Sequence, residues 1–387
     1  MEGSIKTHDS SYRTGKEYSQ DELLDEFLPD IDRSIVGADM DGTMFNNDIG
    51  VLVFLEKLSD PTFWKFKTSR FKSLLLPIKY RRVFQEGAAG TVSELDQRKC
   101  QFILKLWEDI CDLYRKQREI LSSNGPKINI HTPIVNEFAR KMLAFDRLLI
   151  EMERQLISRF QGELLMRTRF FADKGVQDVE ELTKKVMARE LGDKDAEMDL
   201  AVHDANRNEY NQRISAEDLE PIVYNRVVII NLHVAALIKQ VFDRGAAVRV
   251  ITTNIQNNAL GAINNSDYSY LNHRRTISAS SLSMNGDKFG SKMDGMPIFG
   301  PRKVDIAKEI EAAKKRKFKL ALGDSFTNDS PMGKYALENG GVFVVVADDY
   351  ETARAKFHPI YEELIDDDDN EVGDRIWYVE PTEIGEC

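Results

Sequence analysis

The chain has 387 residues, with 53 Lys and Arg against 64 Asp and Glu for a formal charge of −11, and 42% of its residues are hydrophobic. That length predicts two or three domains and is ample to bury a core without disulfide or metal staples. The composition excludes a disordered chain and a collagen, and the acidic balance argues against a coat for nucleic acid, so no nucleic-acid partner is expected.

The first 20 residues are polar and lack the apolar centre of a secretory signal. The longest apolar run, 227–238, is interrupted by Asn231 and His233 and falls short of the about 18 residues of a membrane span. No transmembrane segment and a cytoplasmic, reducing setting are therefore expected, although export by a signal-less route leaves no such trace. Cys100, Cys111 and Cys387 are too few and too scattered for a disulfide framework or a zinc site, and the first two read as buried thiols.

Residues 1–30 read as a flexible lead with a short helix over 21–28. A short apolar strand, 34–38, then stops at Asp39-Met40-Asp41-Gly42-Thr43. From 94 to 192 the pattern is helical. Ile103, Leu106, Ile110, Leu113 and Ile120 mark one amphipathic helix. Val135, Phe138, Met142, Phe145, Leu149, Met152 and Leu156 mark a second, with Thr132 and Pro133 at its start and Gly162 at its end. The link over 122–131 is short enough to predict antiparallel packing. A third helix is expected to start at Asp178 as its cap and to end near Gly192.

After about residue 221 strands and helices alternate. A helix ends at Arg244-Gly245, a strand over 247–251 leads into Thr252-Thr253-Asn254, and Asn285-Gly286-Asp287 marks a hairpin turn. A helix over 304–315 precedes a strand over 319–322 that runs into Gly323-Asp324-Ser325. Strands over 342–347 and 376–379 complete the set. This alternation predicts a parallel sheet with right-handed crossovers. The chain therefore reads as one α/β domain, 31–46 with 222–387, carrying a helical insertion over 47–221.

The chemistry-bearing residues fall at the predicted C-terminal ends of strands, where open parallel sheets bind ligands. Asp39, Asp324 and the Asp329 region offer hard oxygen ligands suited to Mg²⁺. Lys303 and the metal together would offset the repulsion between a carboxylate nucleophile and a phosphate. Asp39 could attack phosphorus, with Asp41 as the general acid and base and a threonine hydroxyl holding the transferring group.

Four ordered motifs, Asp39-Met40-Asp41-Gly42-Thr43, Thr252-Thr253-Asn254, Lys303, and Gly323-Asp324-Ser325-Phe326-Thr327-Asn328-Asp329, resemble those of the haloacid dehalogenase superfamily. Residues 278–303 resemble the hairpin that precedes the lysine in its phosphoserine-phosphatase-like members. The resemblance covers 31–46 and 222–350 and implies a Rossmann-like core with a C1-type helical cap in the insertion. It implies Asp39 as nucleophile and Asp41 as acid–base residue. Mg²⁺ would be held by Asp39, the Asp41 carbonyl and Asp324, with Asp329 or Asn328 assisting. Thr252 or Thr253, with Asn254 and Lys303, would bind the substrate phosphate; spacing from Gly245 favours Thr252 and the Thr-Asn pair favours Thr253. The expected activity is a Mg²⁺-dependent phosphatase acting on a phosphate monoester through an aspartyl-phosphate. A phosphomutase or phosphotransferase of the same superfamily is the alternative within this chemistry, and a binding or scaffold protein the alternative outside it. A metabolite, a phosphoprotein and a lipid phosphate are all candidate substrates.

Residues 61–85 carry Lys65, Lys67, Arg70, Lys72, Lys79, Arg81 and Arg82, no acidic residue, and interleaved aromatics. Three readings stand: an anion site for a membrane surface, a phosphoinositide or nucleic acid, a field that steers phosphorylated substrates to the cleft, or solvated cations over buried rings.

Overall fold

In the computed structural model of the chain, residues 5–7, 19–124, 133–156, 169–191, 228–364 and 372–381 are described. Nine strands are assigned among them: β1 (Lys6–Thr7), β2 (Ser34–Ala38), β3 (Ala247–Ile255), β4 (Ile277–Ser280), β5 (Leu282–Asn285), β6 (Lys288–Met293), β7 (Lys317–Gly323), β8 (Val342–Val346) and β9 (Ile376–Val379). Seven form one sheet in the order β1-β9-β8-β7-β2-β3-β4. Every pair in it is parallel except β1 with β9. β5 and β6 form a separate antiparallel hairpin whose two-residue turn has Gly286 at φ +67°, so the expected Asn-Gly-Asp turn is present.

Alternate residues of the inner strands feed two cores, as the period of two in a strand requires. Val36, Ala38, Val250, Leu322 and Val344 join a cluster on one face, with Leu237 and Ile238 of helix α8 (Leu232–Asp243) and Ala259 and Ile263 of α9 (Gln256–Asn264). Ile35, Ile251, Phe318, Ala321 and Phe343 join the other. That face is covered by α10 (Pro301–Lys314), α11 (Phe326–Glu338) and α12 (Tyr350–Leu364). The result is a mostly parallel, Rossmann-like α/β sheet with helices on both faces.

Between β2 and β3 lie α2 (Ile49–Leu58), α3 (Thr68–Leu75), α4 (Ile78–Glu86), α5 (Glu94–Asn124), α6 (Pro133–Leu156) and α7 (Val176–Glu190). Helices α3 to α6 have a core of their own, in which Phe71 stacks on Tyr114 at 3.8 Å between ring centres and Phe138 packs beside both. Contacts of Asp109 with Lys141 and of Tyr114 with Phe138 make α5 and α6 antiparallel. Helix α2 faces both ways: Ile49, Leu52 and Val53 enter the sheet core, while Val51, Phe54, Leu55 and Leu58 enter the helical one. Helix α7 instead packs on α9, and Val179, Val186 and Met187 belong to the sheet core.

Several details differ from the sequence reading. Part of the stretch expected as a flexible lead is built into the fold. Lys6–Thr7 pairs with β9, and α1 (Gln20–Phe27) is closed by a Ser19/Glu22 capping box with Leu23 and Leu24 buried. β3 runs to Ile255 rather than 251, because a register shift between Thr252 and Ile255 lets it continue beside β4. Asp178 is not the cap of α7: Gly175 occupies that position, and the Asp178 carboxylate reaches back to accept from the Gly175 N–H. Ile120 is 43% exposed, although the other stripe residues of α5 are buried. Thr132, Gly162 and most of the expected 122–131 link lie outside the described residues. Cys100 and Cys111 are buried free thiols. Among the described residues, no helix is long and apolar enough to cross a membrane.

Candidate active site

Strand register gathers the motif residues. Ala38 pairs with Leu322 on one side and Val250 on the other, so Asp39 emerges beside Asp324, and Thr252 lies two residues past the β2–β3 pairing. Asp329 sits in the first turn of α11, which Ser325 caps by accepting from the Asn328 N–H. Lys303 sits in the first turn of α10, whose start is set by Pro301.

The centre is a buried ion cluster. Lys303 Nζ lies 2.8 Å from Asp39 Oδ1 and 2.5 Å from Asp329 Oδ1, and both Lys303 and Asp329 are fully buried. Asp329 Oδ2 accepts from the backbone N–H groups of Asp324 and Ser325, at 3.2 and 2.9 Å. Both its oxygens are thus engaged in holding the lysine and the turn. Gly323 makes this approach feasible, because a Cβ there would stand 2.3 Å from the Asp329 Cβ. Asp324 is oriented by a 2.9 Å hydrogen bond from the Thr43 hydroxyl. Gly42 has φ +78°, and a side chain on it would strike the Asp324 carboxylate at 2.3 Å, so the Asp-Gly-Thr turn needs glycine twice over.

Asp41 lies at the start of α2. Its Oδ1 accepts from the Ile49 N–H at 2.8 Å, and its Oδ2 from Asn254 Nδ2 at 3.3 Å. Asn254 Oδ1 in turn accepts from Asn258 Nδ2 at 3.0 Å, and Asn258 Oδ1 accepts from the Thr183 hydroxyl at 3.2 Å. Asn258 and Thr183 are buried members of this chain that the motif reading missed. The single sequence signal was the unusual density of Asn over 254–258.

The two threonines differ in what they hold. Thr253 donates to the Ile298 carbonyl at 2.8 Å, tying β3 to the loop before α10. Thr252 accepts from the Asn254 N–H at 3.1 Å, which leaves its hydroxyl hydrogen available to a ligand. Asn328 Oδ1 accepts from the Gly300 N–H, so this side chain joins α11 to the start of the lysine helix. Of the sequence-chosen residues, Asp39, Lys303, Asp324 and Asp329 meet directly, Asp41 and Asn254 pair beside them, and Thr253 and Asn328 brace loops.

One oxygen from each of Asp39, Asp324 and Asp329 lies within 4.8 Å of the others. Burial, then the Asp329 charge, pushes the Asp39 carboxyl up to about 8, against the pull of Lys303. Burial and Asp329 likewise push Asp324 up to about 7. Burial alone would lower Lys303, but Asp329 and Asp39 outweigh it and hold the ammonium above its ordinary range. Asp39 Oδ1 is buried and accepts no hydrogen bond, having only the ion pair with Lys303. Two buried carboxylates and a half-buried one face a single ammonium, so their ionisation is disfavoured unless a further positive charge joins them, and an all-oxygen donor set of this kind fits Mg²⁺.

No family model matches the chain, and comparison with curated proteins finds no match. Among solved structures, it is similar to a conserved protein of unknown function from Anaerococcus prevotii DSM 20548. The TM-score is 0.60 at 14% identity over 89% of each chain, a likeness of fold. A protein of unknown function from Bordetella pertussis Tohama I aligns at a TM-score of 0.36 and 10% identity, over 84% of this chain and 96% of that one, too weak to bear on the fold.

Proposed function

We propose that the protein is a Mg²⁺-dependent phosphatase of the haloacid dehalogenase type, hydrolysing a phosphate monoester through an aspartyl-phosphate on Asp39. The observation that carries this reading is the buried Asp39–Lys303–Asp329 cluster, with Asp324 beside it and Asp41 two residues from the nucleophile. In this reading helices α3 to α6 serve as the cap that shapes the substrate pocket.

Asp39 attacks phosphorus, and the bond to the leaving oxygen breaks as Asp41 protonates it. Water then attacks the aspartyl-phosphate, Asp41 takes its proton, and inorganic phosphate leaves with Asp39 restored. The Ile49 N–H and the Asn254 amide hold the Asp41 carboxylate in place. The Lys303 ammonium and the Thr252 hydroxyl neutralise and orient the phosphoryl oxygens. Asp39, Asp324 and the Asp41 carbonyl would hold Mg²⁺, which supplies charge neutralisation for a dianion approaching a carboxylate. Asp41 distinguishes this chemistry from dehalogenation, which has no leaving oxygen to protonate.

The test is turnover of phosphorylated metabolites, phosphopeptides and lipid phosphates with and without Mg²⁺, together with borohydride trapping of the acyl phosphate. Modification mapping to Asp39 is expected. Turnover with no trapped Asp39, or trapping at another residue, would overturn the mechanism.

A further inference from the structure

One buried lysine has no part in the Asp39 site. Lys57 lies in the last turn of α2 and is 1% exposed. Its Nζ donates to the Phe170 carbonyl and sits 4.4 Å from the centre of the Phe171 ring. An ammonium has three hydrogens to donate, and this carbonyl is its single acceptor among the described residues. Nor does it form an ion pair among them. Three charged groups act on it: Lys174 and Asp173 of the segment before α7, and Asp60 of the turn after α2. Asp60 is paired with Lys174 at 2.5 Å, and Asp173 with Arg70 of α3 at 2.7 Å. On α2 itself, the adjacent Glu56 is held by Arg189 of α7 at 2.7 Å. Burial, then the Lys174 charge, outweighs the two carboxylates and holds the amine well below its ordinary 10.5.

The place of this lysine gives its burial a consequence. The described chain passes between the helical core and the sheet core at two crossings. It enters the helical core through α2, whose faces serve both cores. It returns through 169–175, where Phe170 and Ala172 sit in the helical core and Phe171 in the sheet core. The bond from Lys57 to Phe170 joins one crossing to the other. Further along, the Asp173 N–H donates to the Phe289 carbonyl at 2.8 Å, and the Phe289 N–H to the Lys174 carbonyl at 2.9 Å. Asp173 has φ +69° there, a backbone conformation uncommon for a residue with a side chain, so it depends on these contacts.

We propose that Lys57 is a proton-operated latch between the two crossings: its neutral amine seals the helical unit against the sheet, and on taking up a proton it releases the 169–175 segment. The proton comes from solvent and stays on Nζ, which water reaches once the segment lifts. A neutral amine is satisfied by one carbonyl and an apolar wall, whereas an ammonium needs more acceptors than the junction provides. The seated junction therefore holds the proton less tightly than the lifted one. Acidification favours lifting, by up to about tenfold per pH unit between the ordinary lysine value and the lowered one. The latch is independent of the phosphatase reading, whose Asp41 meets the opposite end of α2 at Ile49.

Hydrogen exchange on the full chain in EDTA, read by mass spectrometry and corrected for the intrinsic pH dependence of exchange, tests the latch. Peptides covering 169–175 and 286–290 report the junction, and peptides of β7 report global opening. In wild type, protection at the junction is expected to fall at least about tenfold from about pH 9 to about pH 6, without a matching fall in β7. Lys57→Met keeps an unbranched apolar stem and is expected to stay protected across that range. Asp39 and Asp324 titrate in the same range, but they do so in both proteins and with the opposite sign. A folded Lys57→Met with the pH dependence of wild type overturns the proposal. Wild type decides the matter even where that variant does not fold: junction protection that is flat with pH, or that falls only together with β7, overturns it as well.

Discussion

Replacing the proposed nucleophile should make the metal-free protein more stable while abolishing its activity. Burial and the neighbouring Asp329 raise Asp39 from an ordinary 3.8 to about 8. At pH 7 the metal-free fold therefore works against ionisation of this group by roughly 4 kcal/mol, at about 1.4 kcal/mol per pH unit. Asp39→Asn removes the charge and keeps the shape, but its amide must still be buried at about 1–3 kcal/mol. A net gain of about 1–3 kcal/mol is expected, or a few degrees in thermal midpoint for a chain of this size. The pH dependence identifies the cause. Folded Asp39 keeps a proton that the unfolded chain releases, so wild-type stability falls as pH rises from about 4 to about 8. The advantage of the variant should thus be small near pH 5 and full near pH 8, with the slope belonging to Asp324 shared by both proteins. Thermal melts in EDTA across that range, with phosphatase assays on the same samples, make the measurement. Added Mg²⁺ should stabilise wild type more than the variant and narrow the gap. A variant destabilised equally at every pH would refute the argument that like charge and burial dominate this site, and wild-type turnover in it would refute the nucleophile.

Chelation should eliminate activity and Mg²⁺ should restore it, whereas Ca²⁺, which takes more ligands in looser geometry, should not; metal-reconstitution assays read this out. Gly42→Ala should lose Mg²⁺-induced thermal stabilisation and most turnover, because its Cβ would displace the Asp324 carboxylate in a backbone conformation unfavourable to alanine; an unchanged Mg²⁺ response would count against the site. Lys303→Met should cost about 3–5 kcal/mol in urea melts at pH 8, since it leaves Asp39 and Asp329 buried without their counter-ion, and the loss should shrink toward pH 5 as Asp39, whose carboxyl burial holds near 8, takes up its proton. Asn258→Leu should lower kcat about tenfold or more, with a displaced acidic limb in the pH–rate profile, by releasing the Asn254 side chain that holds Asp41.

Much of this protein is written in short windows of its sequence. The apolar run before Asp39, the alternation of strands and helices after Gly245, and the heptad stripe from Val135 to Met152 each emerge where periodicity places them, because burial on one face or both is encoded locally. The motif residues at strand ends were legible for the same reason: a strand that stops at a carboxylate or a glycine announces its own end. What the sequence left open depended on partners far along the chain. The β2–β7 and β2–β3 registers decide that Asp39, Asp324 and Lys303 share one buried space. Loop packing against Ile298 gives Thr253 a bracing role and leaves the Thr252 hydroxyl hydrogen available. The run of asparagines became a hydrogen-bonded chain from Asp41 to Thr183 only once α7 was seated on α9. Likewise the basic segment carried its charge in plain view, but whether its rings faced water was settled by a helical core assembled from stretches spread over residues 51 to 172. Periodicity is a local property of the chain. Register, counter-ion pairing and cavity walls are properties of surfaces that meet only after folding.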